Sequence, residues 1–183
     1  MNRISQFVVA LCLTGASPVL AEECAVSKSV DAHGPVKVGQ PAPEFGGWLP
    51  DSTLFSSTRF MKDHPGQTLV VSFFATWCKP CQKGLPVLQK VNDDLKGTAS
   101  VVLVAFGHDA AEVKAYMEGK AITLPVVLDT YEKQAKKFGV DKALPRTFVI
   151  DSSGKLQAAF ECEGADFAER IKETVMKPQQ ANK

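Results

Sequence analysis

Apolar residues along the chain follow two alternating patterns, continuous short runs and positions spaced three or four residues apart. The continuous runs are TLVVSFFA at 68–75, SVVLVAF at 100–106 and the shorter PVVL at 125–128. Unbroken runs of β-branched and aromatic residues are typical of parallel strands that are buried on both faces. The pattern therefore predicts three such strands.

Helical spacing fills the stretches between these runs. One predicted helix face consists of Cys81, Leu85, Leu88, Val91 and Leu95. Pro86 interrupts this helix, but the apolar spacing continues beyond it, so a kink is expected rather than an end. Asp109 followed by Glu112 fits a capping box that opens a second helix through Met117. A third helix is predicted over 131–138, with Gly139 as its left-handed cap.

The last third of the chain changes character. Residues 147–151 (TFVID) and 155–162 (KLQAAFEC) are predicted to be two strands joined by a tight turn at SSG. A final helix is expected from Asp166 to Met176, and Pro178 stops it. Strands alternating with helices, then a hairpin and a helix, predict a single α/β domain with a mixed sheet covered by helices. Its predicted limits are 36–177, followed by a polar tail at 178–183.

The first 21 residues have the layout of a secretory signal peptide. Arg3 precedes an apolar run over 7–13, Gly15 and Pro18 follow it, and cleavage is predicted after Ala21. The alternative, a retained membrane anchor, is disfavoured because the run is much shorter than the roughly 18 residues that a span needs. Residues 22–35 are polar and weakly patterned, and they are predicted to be a loose N-terminal arm. The expected location is therefore the periplasm.

Composition and charge narrow the function classes. The 183 residues are 45% hydrophobic and 22% charged, which is ordinary for a soluble globular protein. Arg3 is the leader's only charged residue, so removing the leader leaves equal numbers of basic and acidic side chains. Nothing in this balance favours nucleic acid as a partner. Four cysteines remain, and export makes disulfides plausible for all of them.

Two of these cysteines, Cys78 and Cys81, are spaced by two residues where a strand pattern gives way to a helix pattern. Free N–H groups and the helix dipole at a helix start favour the thiolate of Cys78, and Lys79 adds to this effect. Pro80 fits the first helical turn and fixes its backbone. Cys81, on the apolar face, should be more buried. Cys78 is therefore predicted to attack and Cys81 to resolve.

Two other roles for such a cysteine pair, a zinc site and a structural disulfide, are disfavoured. A zinc site would need a second pair of ligands at matching spacing, and His33, His64 and His108 provide no such set. A purely structural disulfide would close a very small loop and would stabilise the fold very little. A redox dithiol is the favoured interpretation, and no metal or other cofactor is expected.

Four segments together resemble one known family. VGQPAPEF, SFFATWCKPC, LPVVLDTYEKQAKKFGV and LPRTFVIDSSGKL are similar to the TlpA/ResA-like branch of the thioredoxin superfamily. That branch consists of exported thiol-disulfide oxidoreductases, often tied to cytochrome c maturation. The resemblance implies a thioredoxin-like fold with an N-terminal extension and an inserted strand-helix unit.

The resemblance also implies roles for residues around the dithiol. Pro145, preceded by Leu144, stands where the family has a cis proline, and a cis bond there exposes backbone that can pair with a substrate's extended segment. Trp77 resembles part of the docking surface, with a core tryptophan as the alternative. The family's buried carboxylates are missing, because Ser72 and Gly84 occupy their positions.

The missing carboxylate raises the question of what accepts the proton of Cys81. Glu161, Glu163 and water are the candidates. Slower or more pH-dependent turnover is expected than in a relative that has the acid.

Cys24 and Cys162 leave three alternatives open. A structural disulfide that ties the arm to the last strand is favoured by the even cysteine count of an exported chain. Free thiols and a redox relay remain as the others.

Two function classes follow from these observations. The first is an oxidoreductase, expected to be a monomer. It is expected to reduce disulfides of an exported protein substrate through Cys78 and Cys81 and to be recharged by a membrane-bound electron donor. The second is a thioredoxin-fold adaptor or copper(I) carrier without redox turnover. A peroxidase is a minor third hypothesis.

Overall fold

A computed structural model describes residues 26–27, 35–161 and 164–177. The predicted signal peptide, Cys24, Cys162, Glu163, the tail and most of the predicted arm lie outside the described residues.

In chain order the elements are β1 (Val26–Ser27), β2 (Gly46–Trp48), β3 (Leu54–Ser56), α1 (Ser57–Asp63), β4 (Thr68–Phe74), α2 (Lys79–Asp94), β5 (Ala99–Phe106), α3 (Ala110–Met117), β6 (Val126–Asp129), α4 (Lys133–Phe138), β7 (Arg146–Ile150), β8 (Leu156–Phe160) and α5 (Phe167–Met176). None of the helices in the described ranges combines the length and the hydropathy needed to cross a membrane.

One mixed sheet organises these elements, with the strand order β1-β8-β7-β4-β5-β6. β4, β5 and β6 run parallel, whereas β7 is antiparallel to β4, and β8 is antiparallel to β7. β2 and β3 form a separate antiparallel hairpin. The predicted α/β architecture is confirmed, and the two long apolar runs are the central strands β4 and β5. The carboxyl ends of the three parallel strands meet at one edge of the sheet.

The two faces of the sheet carry separate hydrophobic clusters, as the alternation of side chains along a strand requires. α2, α3 and α5 cover one face, through residues such as Leu88, Val113 and Ile171. α1 and α4 cover the other face, where Phe138 packs against Phe73 and Phe148. The dithiol belongs to the first face.

The predicted helix signals are confirmed in two places. α2 continues through Pro86, so the apolar stripe outweighs the lost backbone hydrogen bond. At the start of α3, the side chain of Asp109 accepts the N–H of Glu112, and the Glu112 carboxylate accepts the N–H of Asp109. This is the reciprocal capping box that the spacing predicts.

The predicted start of the third helix is wrong by two residues. α4 begins at Lys133 because Glu132 has a left-handed backbone with φ of 56°. The carboxylate of Asp129 replaces a cap, accepting the N–H groups of Gln134 and Ala135 at 3.0 and 2.8 Å. The predicted end is confirmed, because Gly139 has a left-handed φ of 66°.

Four elements near the N-terminus, β1, β2, β3 and α1, were not predicted. β2 and β3 have only three residues each, which is too short for an alternating pattern to stand out. α1 carries a usable signal, since Ser56 caps it by accepting the N–H of Arg59. Val26–Ser27 pairs with β8, so these two residues of the predicted loose arm are attached to the sheet.

Candidate active site

The two cysteines lie where β4 passes into α2, at the carboxyl edge of the sheet. A disulfide joins Cys78 and Cys81, with the sulfurs 2.03 Å apart. Cys78 is the N-cap of α2, and its Sγ accepts the backbone N–H of Cys81 at 3.3 Å. Lys79 and Pro80 are the first two helical residues. The sulfur of Cys78 therefore lies at the helix start, where free N–H groups and the positive end of the helix dipole are located.

The dithiol is mostly covered, but one side of it reaches the surface. Cys78 is 4% exposed and Cys81 1%, and both belong to the cluster under α2. Trp77 is 55% exposed, so it is a surface side chain and not a core tryptophan. Lys79 and Pro80 are exposed as well. The exposed residues next to Cys78 are therefore Trp77, Lys79 and Pro80.

Pro145 lies beside this loop, at the start of β7. The peptide bond between Leu144 and Pro145 is cis. β7 pairs with β4 so that Arg146 lies opposite Phe73, which brings Pro145 level with the end of β4. Pro145 is buried, and the half-buried Leu144 packs against the clusters on both faces.

A pair of hydroxyl groups occupies the position where the resemblance to the thioredoxin superfamily implies a buried carboxylate. Ser72 is two residues away from Val70 and from Phe74, which belong to the cluster under α2, so its side chain lies on the same face of the sheet as the dithiol. Its Oγ lies 2.8 Å from Oγ1 of Thr147 on the adjacent strand, and both residues are about 1% exposed. Because hydroxyl groups stay protonated at neutral pH, this pair offers no carboxylate base to Cys81.

Of the two glutamates considered as replacements, only Glu161 is described. Its carboxylate accepts a hydrogen bond from the guanidinium of Arg146. Arg146 precedes Thr147 on β7, so its side chain lies on the face opposite Ser72. Glu161 is therefore committed to a pair that lies away from the Ser72 side of the sheet. Gly84, the second position without a carboxylate, is buried within α2.

Hydrogen bonds also hold the residue two positions before Cys78. The backbone N–H of Thr76 donates to Nε2 of His108 at 3.0 Å, and its carbonyl accepts from the side-chain amide of Gln82 at 2.9 Å. Sequence reasoning considered His108 only as a metal ligand and missed this contact. The available signal was position, because His108 follows β5 at the edge where β4 leads into the dithiol.

In the described ranges, a metal site is absent, and the residues with shifted pKa values lie outside the loop that carries the dithiol. No group of three or more His, Cys, Asp or Glu side chains comes together there as a metal site. Burial raises the pKa of Tyr116. At the far end of α2, hydrogen bonds from Lys172 and then from Lys90 hold the pKa of Asp94 below its ordinary value.

A Cys-x-x-Cys pair between a central strand and a helix, next to a proline that begins an antiparallel strand, defines the class of thioredoxin-like proteins. The chain belongs to the AhpC/TSA family, whose sequence model matches residues 38–159.

Named relatives point to the same class. The thiol-disulfide oxidoreductase ResA of Geobacillus thermodenitrificans is 30% identical over 123 residues, which cover 67% of this chain and 68% of that protein. The thioredoxin-like protein YneN of Bacillus subtilis is 27% identical over 130 residues, covering 67% and 70%.

Solved structures agree with the sequence relatives. A thiol:disulfide interchange protein of the thioredoxin family from Chlorobium tepidum superimposes with a TM-score of 0.63 at 31% identity, over 74% of this chain and 96% of that one. StoA from Bacillus subtilis has a TM-score of 0.57 at 23% identity, over 72% and 96%, and it supports the fold alone. The predicted family, fold and enzyme class, a thiol-disulfide oxidoreductase, are confirmed.

Proposed function

We propose that this protein is an exported reductase of protein disulfides that works through a cycle of Cys78 and Cys81. The observation that carries the proposal is the position of Cys78 at the N-cap of α2, where the N–H of Cys81 points at its sulfur. Helix N–H groups stabilise a thiolate, and the thiolate is the form that attacks disulfides.

The proposed cycle transfers two electrons without a cofactor. The Cys78 thiolate attacks one sulfur of a partner's disulfide, and the other partner sulfur leaves as a thiolate. Cys81 then loses its proton and attacks Sγ of Cys78, which releases the second partner sulfur. The partner ends as a dithiol, and this protein ends with the Cys78–Cys81 disulfide seen in the structure. A membrane-bound dithiol donor reverses the exchange and restores the reduced pair.

The proposed docking surface consists of Trp77, Lys79, Pro80, Leu144 and Pro145. Support comes from the exposure of Trp77 beside Cys78 and from the β4–β7 pairing, which brings Pro145 to the same edge. Strand residues next to such an edge can pair with an extended segment of the partner. A role in cytochrome c maturation, from the resemblance to ResA-like proteins, and a monomeric state, from the lack of a heptad pattern in the sequence, complete the proposal.

Export is proposed on the signal-peptide layout of residues 1–21. The periplasm is the expected location, and the mature chain is expected to begin at Glu22. The mass of the mature protein purified from the periplasmic fraction checks this cleavage. A mass that includes the leader would contradict it.

We also propose a structural disulfide between Cys24 and Cys162, which lie outside the described residues. The support is the register of β1 and β8, which pairs Val26 with Phe160 and Ser27 with Ala159. In the sequence, Cys24 precedes β1 by two residues and Cys162 follows β8 by two residues. Peptide mapping of the unreduced protein should recover the two cysteines in one linked fragment, and a free thiol at either position would contradict the pairing.

Trapping of a mixed disulfide tests the proposed function. A Cys81→Ala variant keeps the attacking thiol but cannot resolve, so it should accumulate a covalent complex with a disulfide-containing substrate such as insulin. The matched Cys78→Ala variant should form none. Equal docking by both variants without a covalent complex, or tight stoichiometric binding of copper(I), would favour the adaptor or carrier hypothesis instead.

The direction of electron flow is tested by the reduction potential of the Cys78–Cys81 couple. About 30 mV corresponds to a tenfold change in equilibrium for two electrons, so the scale separates the candidates well. A value near that of thioredoxin, about −270 mV, is expected for a reductase. A value near that of DsbA, about −120 mV, would make the protein an oxidant.

A further inference from the structure

His108 connects the ends of three strands at the edge that carries the dithiol. Gly107, with a left-handed φ of 72°, turns the chain after β5 and presents His108 inward, where it is 5% exposed. Its carbonyl accepts the hydroxyl of Thr130, which follows β6, at 2.9 Å. Its ring reaches Thr76, which follows β4, at 3.0 Å. The histidine therefore links the loop before Cys78 to the rest of this edge.

Two contacts of the ring indicate which of its nitrogens accepts a hydrogen bond. A backbone N–H can only donate, so Nε2 of His108 must accept from Thr76 and carries no hydrogen. The ring proton then lies on Nδ1, which is 3.3 Å from the Glu112 carboxylate. Glu112 also accepts the N–H of Asp109 in the capping box, so its carboxylate is held at the start of α3. A carboxylate on one ring nitrogen sets the tautomer of the other.

Thr76 lies in the short segment that joins β4 to Cys78, the attacking cysteine. Thr76 is fixed through its N–H by His108 and through its carbonyl by Gln82 of α2. The N–H of Cys78 donates to the carbonyl of Ala75 at 3.1 Å, which closes the turn. The sulfur of Cys78 benefits from the helix N–H groups only while this turn keeps it at the N-cap position.

We propose that His108 is a positioning residue for the attacking thiol. In its Nδ1-protonated form, oriented by Glu112, it accepts the Thr76 N–H and holds the turn that places Sγ of Cys78 at the start of α2. The inference rests on the proposed role of Cys78, and it adds a residue that acts through the backbone and does not touch the substrate.

Two variants of His108 test the acceptor role. His108→Leu removes the acceptor, whereas the oxygen of His108→Gln can accept at the place of Nε2. Loss of one hydrogen bond should slow alkylation of reduced Cys78 at pH 7 by about two- to tenfold in His108→Leu. His108→Gln should restore most of the rate. His64→Leu, which changes an exposed histidine at the end of α1, is the control and should react like the unmodified protein.

The outcomes separate this inference from the proposed function. If Cys78 of the unmodified protein reacts no faster than free cysteine, the proposed function fails, and the inference fails with it. If Cys78 is reactive there and equally reactive in a folded His108→Leu variant, only the inference is overturned. Equal slowing in the Leu and Gln variants would also overturn it, because the acceptor would then be irrelevant.

A spectroscopic measurement tests the tautomer without any substitution. Nitrogen-15 NMR of the histidine rings should show His108 with a protonated Nδ1 and an unprotonated Nε2. A signal for a proton on Nε2 would contradict the hydrogen bond from Thr76 and overturn the proposal.

Discussion

The two ends of α2 are held in place by different kinds of interaction. At the dithiol end, the contacts are hydrogen bonds, from the N–H of Thr76 to the buried His108 and from the amide of Gln82 to the carbonyl of Thr76. At the other end, Asp94 forms ion pairs with Lys90 at 3.2 Å and with Lys172 of α5 at 2.8 Å. These charged side chains are all partly or largely exposed to solvent.

This difference indicates which end of α2 must keep a fixed position. Exposed ion pairs are weak and screened by salt, and they tolerate movement of the helix end. Hydrogen bonds to buried partners are directional, and breaking one leaves an unpaired group inside the protein. The dithiol end therefore gains a fixed geometry for Cys78. The far end is attached to α5 by these ion pairs and to β5 by one hydrogen bond, which the Val101 N–H donates to Oδ1 of Asn92 at 3.0 Å.

Removing the attacking sulfur should have the largest effect at the dithiol end. Cys78→Ala is expected to reduce insulin disulfides only at the rate seen without protein, because no other described thiol caps the helix. An insulin precipitation assay with a thiol donor measures this rate. Full activity in this variant would mean that the attack occurs elsewhere.

A core substitution in the middle of α2 should have the second-largest effect, and this effect is on stability. Leu88 is 1% exposed, and Leu88→Ala is expected to lower the free energy of unfolding by about 2–5 kcal/mol. Leu54→Ala is the control, because Leu54 is 65% exposed and should change stability by less than about 0.5 kcal/mol. Urea denaturation measures both values. Equal losses in the two variants would contradict the position of α2 in the core.

Two glutamines of α2 allow a direct comparison of its halves. Gln82 donates to the carbonyl of Thr76 near the dithiol, and Gln89 accepts the N–H of Thr123 at 2.8 Å. Gln82→Ala removes the bond to Thr76, whereas Gln89→Ala removes the bonds from the N–H and hydroxyl of Thr123 and the bond to Asp93. Each lost bond should cost about 0.5–1.5 kcal/mol of stability. Only Gln82→Ala should slow alkylation of Cys78, by about two- to tenfold. Equal rates in both variants would show that the turn does not control the sulfur.

The smallest effect is expected at the charged end. Hydrogen bonds from Lys172 and Lys90 lower the pKa of Asp94, so its stabilising contribution is present above the ordinary carboxyl pKa of about 3.9. That contribution is lost as the pH falls through the lowered value. Asp94→Asn should therefore slightly reduce thermal stability at pH 7 and make it less sensitive to acid, without changing the reactivity of Cys78. A change in Cys78 reactivity would contradict the separation of the two ends.

Local sequence patterns predicted the elements that have strong signals. The runs that became β4 and β5 are long and apolar, and the stripe from Cys81 to Leu95 specifies α2 despite Pro86. The capping box at Asp109 needs only a three-residue spacing. The start of α4 was not predicted correctly, because the carboxylate of Asp129 caps the helix from the preceding strand and no local pattern reveals this contact.

The candidate site divides in the same way. Cys78 and Cys81 could be predicted because their chemistry depends on a spacing within one segment and on the start of one helix. The contacts of Ser72 with Thr147 and of Thr76 with His108 join residues 75 and 32 positions apart. Such contacts follow from the order of strands in the sheet, so they could be found only once the fold was known.

Alkylation of the reduced protein at a series of pH values tests the central claim most directly. Peptide mass analysis after brief exposure to iodoacetamide gives separate rates for Cys78 and Cys81. Cys78 is expected to react first, with a midpoint below the pKa of about 8.5 of free cysteine. Faster reaction of Cys81, or a midpoint for Cys78 at or above that of free cysteine, would contradict its role as the attacking thiol.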